Sequence, residues 1–363
     1  MLNIFMMVEQ KNDSIHLNRF KRVMTVAFPL LNVAVIVIVI YLLMLTGDFS
    51  LNELFAVSVN GFYIFLACLI ILIMVIIDSF RWQISMHAMT KRSDYFLCMR
   101  THLLLVHYNR LTPFSTGGHA YQLYYLHKHK FNAGEITGIA TSQYVLGRIG
   151  FQLVTGIILL AFIWRLNELD GGVVVMSAIY GGIIFQLATT IAILFLCFSK
   201  SIPKKISLLA LFLLHKMKIV KNHEQAKLNV ENTLLTYRQS MSKLVRSPVL
   251  ALSAIFLRML TILLNFSIII FIYASLFGWN WEVIPLLLLG IVLTDYLAGA
   301  MPIPGGTGPM ELFFLSIFAT LIGTPHIIVA LVLWKIFSYV VPILNGVPVI
   351  IYESVKTFRN RKR

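Results

Sequence analysis

The sequence is poor in charged residues, and this scarcity excludes a water-soluble protein. Aspartate, glutamate, lysine and arginine make up 12% of the 363 residues, whereas about 25% is usual for a soluble domain. Hydrophobic residues make up 58%. Such a chain cannot bury its apolar side chains in a core surrounded by water, and several uncharged runs exceed the roughly 20 residues that cross a bilayer. The composition predicts an integral membrane protein.

Cysteine is also scarce, and its spacing excludes two kinds of site. Cys68, Cys98 and Cys197 lie far apart, so they form neither a disulfide framework nor a paired metal-binding motif. The sequence contains no GxSxG, HExxH, Walker or dinucleotide-binding motif. We therefore expect no catalytic residues, no metal site and no cofactor.

Long apolar runs predict an all-α polytopic membrane protein with about six full spans. The runs cover residues 24–46, 55–78, 135–163, 173–198, 249–277 and 327–351. The first run is too long for the apolar part of a signal peptide, and no small-residue cleavage site follows it. We expect it to remain as a span. The predicted transmembrane domain thus covers residues 24–351.

Lysine and arginine are distributed unevenly around these spans. In the predicted topology 25 of the 30 lie on one side, and cytoplasmic loops are the ones that collect them. Much of this charge lies in the N-terminal segment 1–23, the basic loop 199–247 and the C-terminal tail 352–363. We therefore expect both termini in the cytoplasm and the protein in a bacterial cell membrane. The net charge of +15 is explained by topology, so nucleic acid is not an expected partner.

Two further apolar segments, 102–126 and 283–323, are interrupted by proline and glycine. The first is basic at both ends, which predicts a re-entrant hairpin from the cytoplasmic side that breaks near Pro113. The second lies between a span that exits and a span that returns, which predicts a hairpin from the outside that breaks at 302–308. Two such hairpins would form an inverted repeat, with a binding site at the breaks. The alternative is that one or both are ordinary kinked spans.

Six charged residues fall inside the apolar segments, where a central charge costs about 2.5–3.5 kcal/mol and therefore faces a cavity or a partner. They are Arg110, Arg148, Arg258, Asp295, Glu311 and Lys335. Polar residues recur around Arg148 at helical spacing, which favours a cavity over interhelical hydrogen bonds. These residues are Thr137, Thr141, Tyr144, Gln152 and Thr155.

Cations and free backbone N–H groups at the breaks predict a site for an anion at membrane depth, such as a lipid phosphate. The predicted headgroup-binding residues are Arg110, Arg148, Gly117, Gly118, His119, Gly305, Gly306, Thr307 and Gly308. Glu311 and Asp295 are expected to cap a helix or to couple transport. The predicted lining of the cavity is Thr141, Tyr144, Gln152, Arg258 and Lys335.

The two breaks resemble motifs of the lysylphosphatidylglycerol synthase transmembrane-region family, also called flippase-like. Thr112 to Leu126 is similar to the first motif, and Pro302 to Phe314 is similar to the second Pro-Gly-Gly motif, which is followed by an acidic residue, here Glu311. Arg148 falls where the family tends to have an arginine. The resemblance covers roughly residues 20–350. His119-Ala120 departs from the Gln-Pro of many relatives, which bears on the identity of the headgroup.

The resemblance implies that an anionic or aminoacylated phospholipid, or a polyprenyl-phosphate lipid, moves between leaflets. In full-length relatives a C-terminal soluble domain makes the lipid from aminoacyl-tRNA. This chain ends 12 residues after the last predicted span, so we expect that domain to be absent. The alternatives are a phosphatidylglycerol lysyltransferase, or its membrane component, and a scaffold that transports nothing. Expected partners are membrane lipids and a separate lipid-synthesising enzyme, and a homo-oligomer stays open.

Overall fold

The computed structural model describes residues 56–92, 94–112, 117–169, 172–199, 202–216, 223–300, 309–323 and 325–361. All regular structure within these residues is helical. The helices are α1 (Gly61–Thr90), α2 (Tyr95–Arg110), α3 (Gly117–Lys128), α4 (Ala133–Phe162), α5 (Gly172–Phe198), α6 (Ile202–Lys216), α7 (His223–Val245), α8 (Pro248–Phe277), α9 (Ile284–Ala300), α10 (Pro309–Phe318), α11 (His326–Lys335) and α12 (Val341–Arg361). A 3₁₀ turn (Ile163–Glu168) follows α4, and a π-helical segment (Ile336–Val340) joins α11 to α12.

The architecture confirms an all-α, multi-pass membrane protein. Four helical segments are long and apolar enough to cross a bilayer: Gly61–Thr90, Ala133–Leu166, Pro248–Phe277 and His326–Lys356. They correspond to the spans predicted at 55–78, 135–163, 249–277 and 327–351, and α5 corresponds to the one predicted at 173–198. The span predicted at 24–46 lies outside the described residues. Helix α1 continues 12 residues beyond the span predicted to end at residue 78 and finishes at Thr90.

The long helices expose large apolar side chains along one face. On α1 these are Phe62, Phe65, Leu69, Leu72 and Ile76, each at least 41% exposed. Their spacing of three or four residues forms one stripe along the helix. A stripe of this kind is stable against acyl chains and unstable against water, so it marks the lipid-facing side of α1.

Local chemistry sets the ends of several helices. The side chain of Asn60 accepts a hydrogen bond from Phe62 N at the start of α1, and Asp94 does the same for α2. Asn132 and Glu135 form a reciprocal capping box at the start of α4. Gly278 ends α8 with a φ of 82°, a backbone conformation that residues with a Cβ rarely adopt.

Helices α2 and α3 form the first hairpin, and their far ends meet. The guanidinium of Arg92, just before α2, donates to the carbonyl oxygens of Lys130 at 3.2 Å and His129 at 3.4 Å, just after α3. The two arms therefore start and finish at the same end, which confirms a hairpin over a kinked span. The first arm is longer than predicted, beginning at Tyr95.

Glycine allows the two arms of the first hairpin to pack closely near the break. A Cβ on Gly118 would lie 1.9 Å from the carbonyl oxygen of Leu105, so only glycine fits there. Helix α12 packs along the same hairpin. The His107 ring N–H donates from Nδ1 to the carbonyl oxygen of Ile343 at 2.8 Å, and Glu353 accepts from the Tyr125 hydroxyl at 2.9 Å.

Helices α9 and α10 form the second hairpin. A Cβ on Gly290, in the second turn of α9, would lie 2.8 Å from the ring of Phe318, the last residue of α10. Helix α10 therefore runs back along α9, as expected for an interrupted segment. The interruption itself, 301–308, lies outside the described residues.

Buried apolar side chains form two separate clusters. One contains the early part of α1 with parts of α4, α8, α9, α10 and α11, and the other contains the late part of α1 with α2, α3, α7, the early parts of α4 and α8, and Val349 of α12. Helices α1, α4 and α8 pass from one cluster to the other. Their charged residues lie at the crossing: Arg148 follows Leu146, and Arg258 stands between Ala254 and Ile262. We use the name polar layer for the charged side chains of the helical core together with the polar side chains that contact them. The charged residues are Asp78, Arg81, Arg110, Arg148, Arg258, Asp295, Glu311 and Lys335.

Candidate functional site

The first group in the polar layer is centred on Asp78. Its Oδ1 accepts from Arg81 Nε at 2.6 Å, and its Oδ2 lies 3.7 Å from Arg258 Nη1 and 3.8 Å from His102 Nε2. Arg81 also donates to the side-chain oxygen of Gln143 on α4. The group thus joins α1, α2, α4 and α8, and one carboxylate faces two guanidiniums.

The second group joins the two hairpins to the last span. Glu311, in the first turn of α10, forms a 2.6 Å ion pair with Lys335 at the end of α11. Arg110, at the end of α2, interacts electrostatically with Asp295 of α9, with Tyr339 and with Lys335. Tyr339 lies in the π-helical segment, and its hydroxyl is buried without a hydrogen-bond partner. A π turn in this position matches the frequent occurrence of such turns at functional sites.

The third group surrounds Arg148, whose partners are neutral. Its Nη1 donates to Gln186 Oε1 of α5 at 2.8 Å, and its Nε donates to the Tyr144 hydroxyl at 3.2 Å. Gln186 in turn donates to the carbonyl oxygens of Asp295 and Tyr296, both at 3.1 Å. None of the ion pairs between described residues includes Arg148, so its charge is left uncompensated at short range.

The part of the predicted Arg148 stripe that follows Arg148 in the sequence forms hydrogen bonds with neighbouring helices. The Tyr296 hydroxyl lies 2.8 Å from Thr155 Oγ1 and donates to Gln152 Oε1 at 2.9 Å. Gln152 also donates to Thr190 of α5 at 3.4 Å. This part of the stripe therefore makes the interhelical hydrogen bonds that were the alternative to a cavity, while Thr141 is half-buried on α4.

Electrostatic interactions connect the three groups into one network with a surplus of positive charge. Asp295 interacts with both Arg110 and Arg258, and Arg258 also interacts with Arg148. Counted over the described residues, the network contains five cations and three carboxylates, a formal surplus of two positive charges. The cations are Arg81, Arg110, Arg148, Arg258 and Lys335, and the carboxylates are Asp78, Asp295 and Glu311.

The structure places the other predicted site residues in three ways. The ring of His119 faces Tyr144, with the centroids 5.8 Å apart, and His119 interacts electrostatically with Arg148. Gly117 N donates to Thr112 Oγ1 at 2.8 Å and Gly118 N to Asn109 Oδ1 at 2.9 Å, so neither amide is free for an anion in this conformation. Gly305, Gly306, Thr307 and Gly308 lie outside the described residues.

Sequence reasoning missed Asp78, Arg81, His102 and Gln143 as members of this network. Arg81 lies beyond the apolar run that ends at residue 78, a position typical of a loop charge, yet its side chain is 6% exposed. The spacing of Asp78 and Arg81, i and i+3, is the signal that could have identified a paired charge inside a longer helix. His102 and Gln143 meet this pair only through tertiary packing.

Among the described residues, no three histidines, cysteines or carboxylates gather as metal ligands would. The model of the family described as "Lysylphosphatidylglycerol synthase TM region" matches residues 29–346. No curated protein and no solved structure matches the chain.

Proposed function

Because the chain belongs to the lysylphosphatidylglycerol synthase transmembrane-region family, we propose that it moves an anionic or aminoacylated phospholipid, or a polyprenyl-phosphate lipid, between the two leaflets. The shared chemistry of these lipids is a phosphate group that must pass the apolar centre of the bilayer. The polar layer is the place where we propose that this group binds.

The observation that carries the proposal is the surplus of two positive charges in the network of the polar layer. A single cation at the centre of a membrane helix costs about 2.5–3.5 kcal/mol, and pairing with a carboxylate reduces this cost. Among the described residues, the hydrogen-bond partners of Arg148 are one amide and one phenol. A phosphate passing through the layer would supply the missing negative charge, and bidentate guanidinium binding suits a phosphate oxygen pair.

The two hairpins support the same proposal. Each is interrupted by proline and glycine in the sequence, and an interrupted helix at membrane depth needs protein or water partners for its backbone groups. Arg110 ends an arm of the first hairpin, Asp295 lies on the second, and the two interact. In transporters built from inverted repeats, substrate sites lie where such interrupted helices meet. The inverted repeat itself remains a prediction, as does the assignment of both termini to the cytoplasm.

Liposome reconstitution tests the proposal. Purified protein is inserted into vesicles with fluorescent phosphatidylglycerol, and leaflet exchange is followed by chemical quenching of the outer leaflet. We expect Arg148→Ala to slow exchange about tenfold or more, because a charged hydrogen bond contributes roughly 1.5–3 kcal/mol. Arg165→Ala is the matched control, since it removes an arginine that pairs with Glu168 at the exposed end of α4. Equal exchange in vesicles with and without the protein, for each candidate lipid, overturns the proposal.

The enzymatic alternative is lysyl transfer from lysyl-tRNA to phosphatidylglycerol. It is tested in the same vesicles by adding charged tRNA and measuring lysyl-lipid, which we expect not to form.

A scaffold that transports nothing predicts that Arg148→Ala leaves cellular function intact. We expect instead that this variant loses function while its abundance in the cell is unchanged.

A further inference from the structure

The two ring nitrogens of His102 have different surroundings in the polar layer. Nε2 is 3.8 Å from Asp78 Oδ2, whereas Nδ1 is buried and has no hydrogen-bond partner among the described residues. The residue is 8% exposed. An unsatisfied polar atom in such a position costs about 1–3 kcal/mol, so the site around this imidazole is incomplete in the conformation described.

Within the described part of the chain, two other buried nitrogens in the Asp78 group also lack hydrogen-bond partners. They are Arg258 Nε and Gln143 Nε2, and both carry N–H groups that can only donate. Arg258 Nε is two bonds from Nη1, which faces Asp78, and Gln143 Nε2 is two bonds from the oxygen that binds Arg81. The three unpartnered nitrogens therefore belong to side chains that each contact one member of the Asp78–Arg81 ion pair. Donors gathered in this way suit an acceptor such as a phosphate oxygen.

The charges that face His102 determine when it can carry a proton. They are Asp78 and Arg81 on α1 and Arg258 on α8, while Gln143 of α4 is neutral. The charged residues where α3 and α12 meet pair elsewhere, Lys128 with Glu353 at 2.9 Å. With neutral His102 the group has a net charge of +1, and protonation would raise it to +2. A second surplus charge is unfavourable in the membrane unless an anion is present.

We propose that Asp78, Arg81, His102, Gln143 and Arg258 form a site that binds a phosphate group and a proton together, with the proton on His102. Each ligand then raises the affinity of the site for the other by the same factor. The assignment of the phosphate to a lipid headgroup rests on the proposed function. The proton comes from water on the side where the headgroup enters and returns to water on the other side, so a proton gradient would drive the lipid.

The test measures binding and does not need transport. Affinity of the purified full chain for dihexanoylphosphatidylglycerol is measured by calorimetry over a range of pH, with inorganic phosphate in a parallel arm. If one proton binds with the anion, the dissociation constant falls by up to about tenfold for each unit decrease in pH. We expect this dependence in the wild type and its loss in both His102→Gln and His102→Asn. An equal response to both anions assigns the site to free phosphate, and a response to the lipid alone assigns it to a headgroup.

Controls keep the result informative. Gln and Asn place an amide near Nε2 and Nδ1 respectively, so a folding defect in one variant leaves the other usable. His127→Gln removes an exposed histidine from the same hairpin and should retain the wild-type dependence. The inference is overturned if neither anion binds, if wild-type affinity is independent of pH, or if both His102 variants respond as the wild type does. His102-dependent binding without leaflet exchange would retain this inference and overturn the proposed function.

Discussion

Glu311 and Lys335 form an ion pair whose oxygen and nitrogen are 2.6 Å apart and whose side chains are 0% and 3% exposed. The carboxylate belongs to the second hairpin and the ammonium to the last span. A pair so well excluded from solvent is held by mutual attraction, while each charge alone would be costly to bury. The ion pair thus holds α10 against α11. Glu311 therefore does more than cap the start of α10.

This relationship gives the first prediction, on stability. Glu311→Gln and Lys335→Met should each lower the free energy of unfolding by about 3–5 kcal/mol, because each removes one charge of the buried pair and takes this partner from the other. The double variant should recover much of this loss. Thermal unfolding of the purified protein in detergent, arranged as a double-mutant cycle, measures the coupling. Losses that simply add would contradict the ion pair.

The second prediction concerns Gly118. Gly118→Ala should prevent the arms of the first hairpin from packing and sharply reduce the yield of folded protein, because the added Cβ would meet the Leu105 carbonyl oxygen at 1.9 Å. Gly156→Ala on α4 is the matched control, since nothing lies within 4 Å of its Cβ position. Size-exclusion profiles and thermal midpoints of the two variants give the comparison. A folded Gly118→Ala protein with the wild-type midpoint would exclude the close packing.

The third prediction separates two aspartates of the polar layer. Asp78 has three cationic or potentially cationic partners within 3.8 Å, whereas no ion pair between described residues includes Asp295. Asp78→Asn should therefore lower the thermal midpoint more than Asp295→Asn. In vesicles, Asp295→Asn should change the rate of lipid exchange, because it alters the charge balance beside Arg110 and Arg258. Equal midpoints for the two variants would argue against this division.

The fourth prediction tests the first hairpin in the membrane. In a background without the native cysteines, Arg92→Cys and Lys130→Cys should react with a membrane-impermeant maleimide from the same side, because the two residues are hydrogen-bonded. Glu282→Cys should react only from the opposite side, since Glu282 lies beside Arg165 at the other end of α4. Labelling of each cysteine is measured in right-side-out and in inside-out membrane vesicles. Reaction at Arg92→Cys and Lys130→Cys from opposite sides would require a full crossing between them.

Much of the fold could be predicted from the sequence because apolar runs and Pro/Gly breaks are local signals. The hairpins follow from breaks next to Thr112 and before Pro309, and the spans follow from hydropathy. The end of α1 could not be predicted in this way, because Arg81 has the sequence position of a loop charge, and only the structure shows that it pairs with Asp78 inside a helix.

Among the charged and polar residues of the network, the sequence predicts those whose charge lies inside an apolar run. Arg110, Arg148 and Lys335 are examples. The positions of His102 and Gln143 depend on contacts between distant parts of the chain. The anion role of the Gly117 and Gly118 amides was expected from helix-end geometry. Thr112 and Asn109 bind these amides instead, a capping arrangement that composition alone does not specify.

The π-helical segment Ile336–Val340 has a mechanical consequence. One inserted residue turns the two halves of a helix by roughly 100° relative to each other, because an α-helix has 3.6 residues per turn. The half before the segment presents Lys335 to Glu311, and the half after it presents Gly346 to His107. A single helical segment therefore contacts both hairpins, through two faces whose relative angle is set by the π turn. Deleting one residue from 336–340 would rotate one of these faces and break the contact with one of the hairpins.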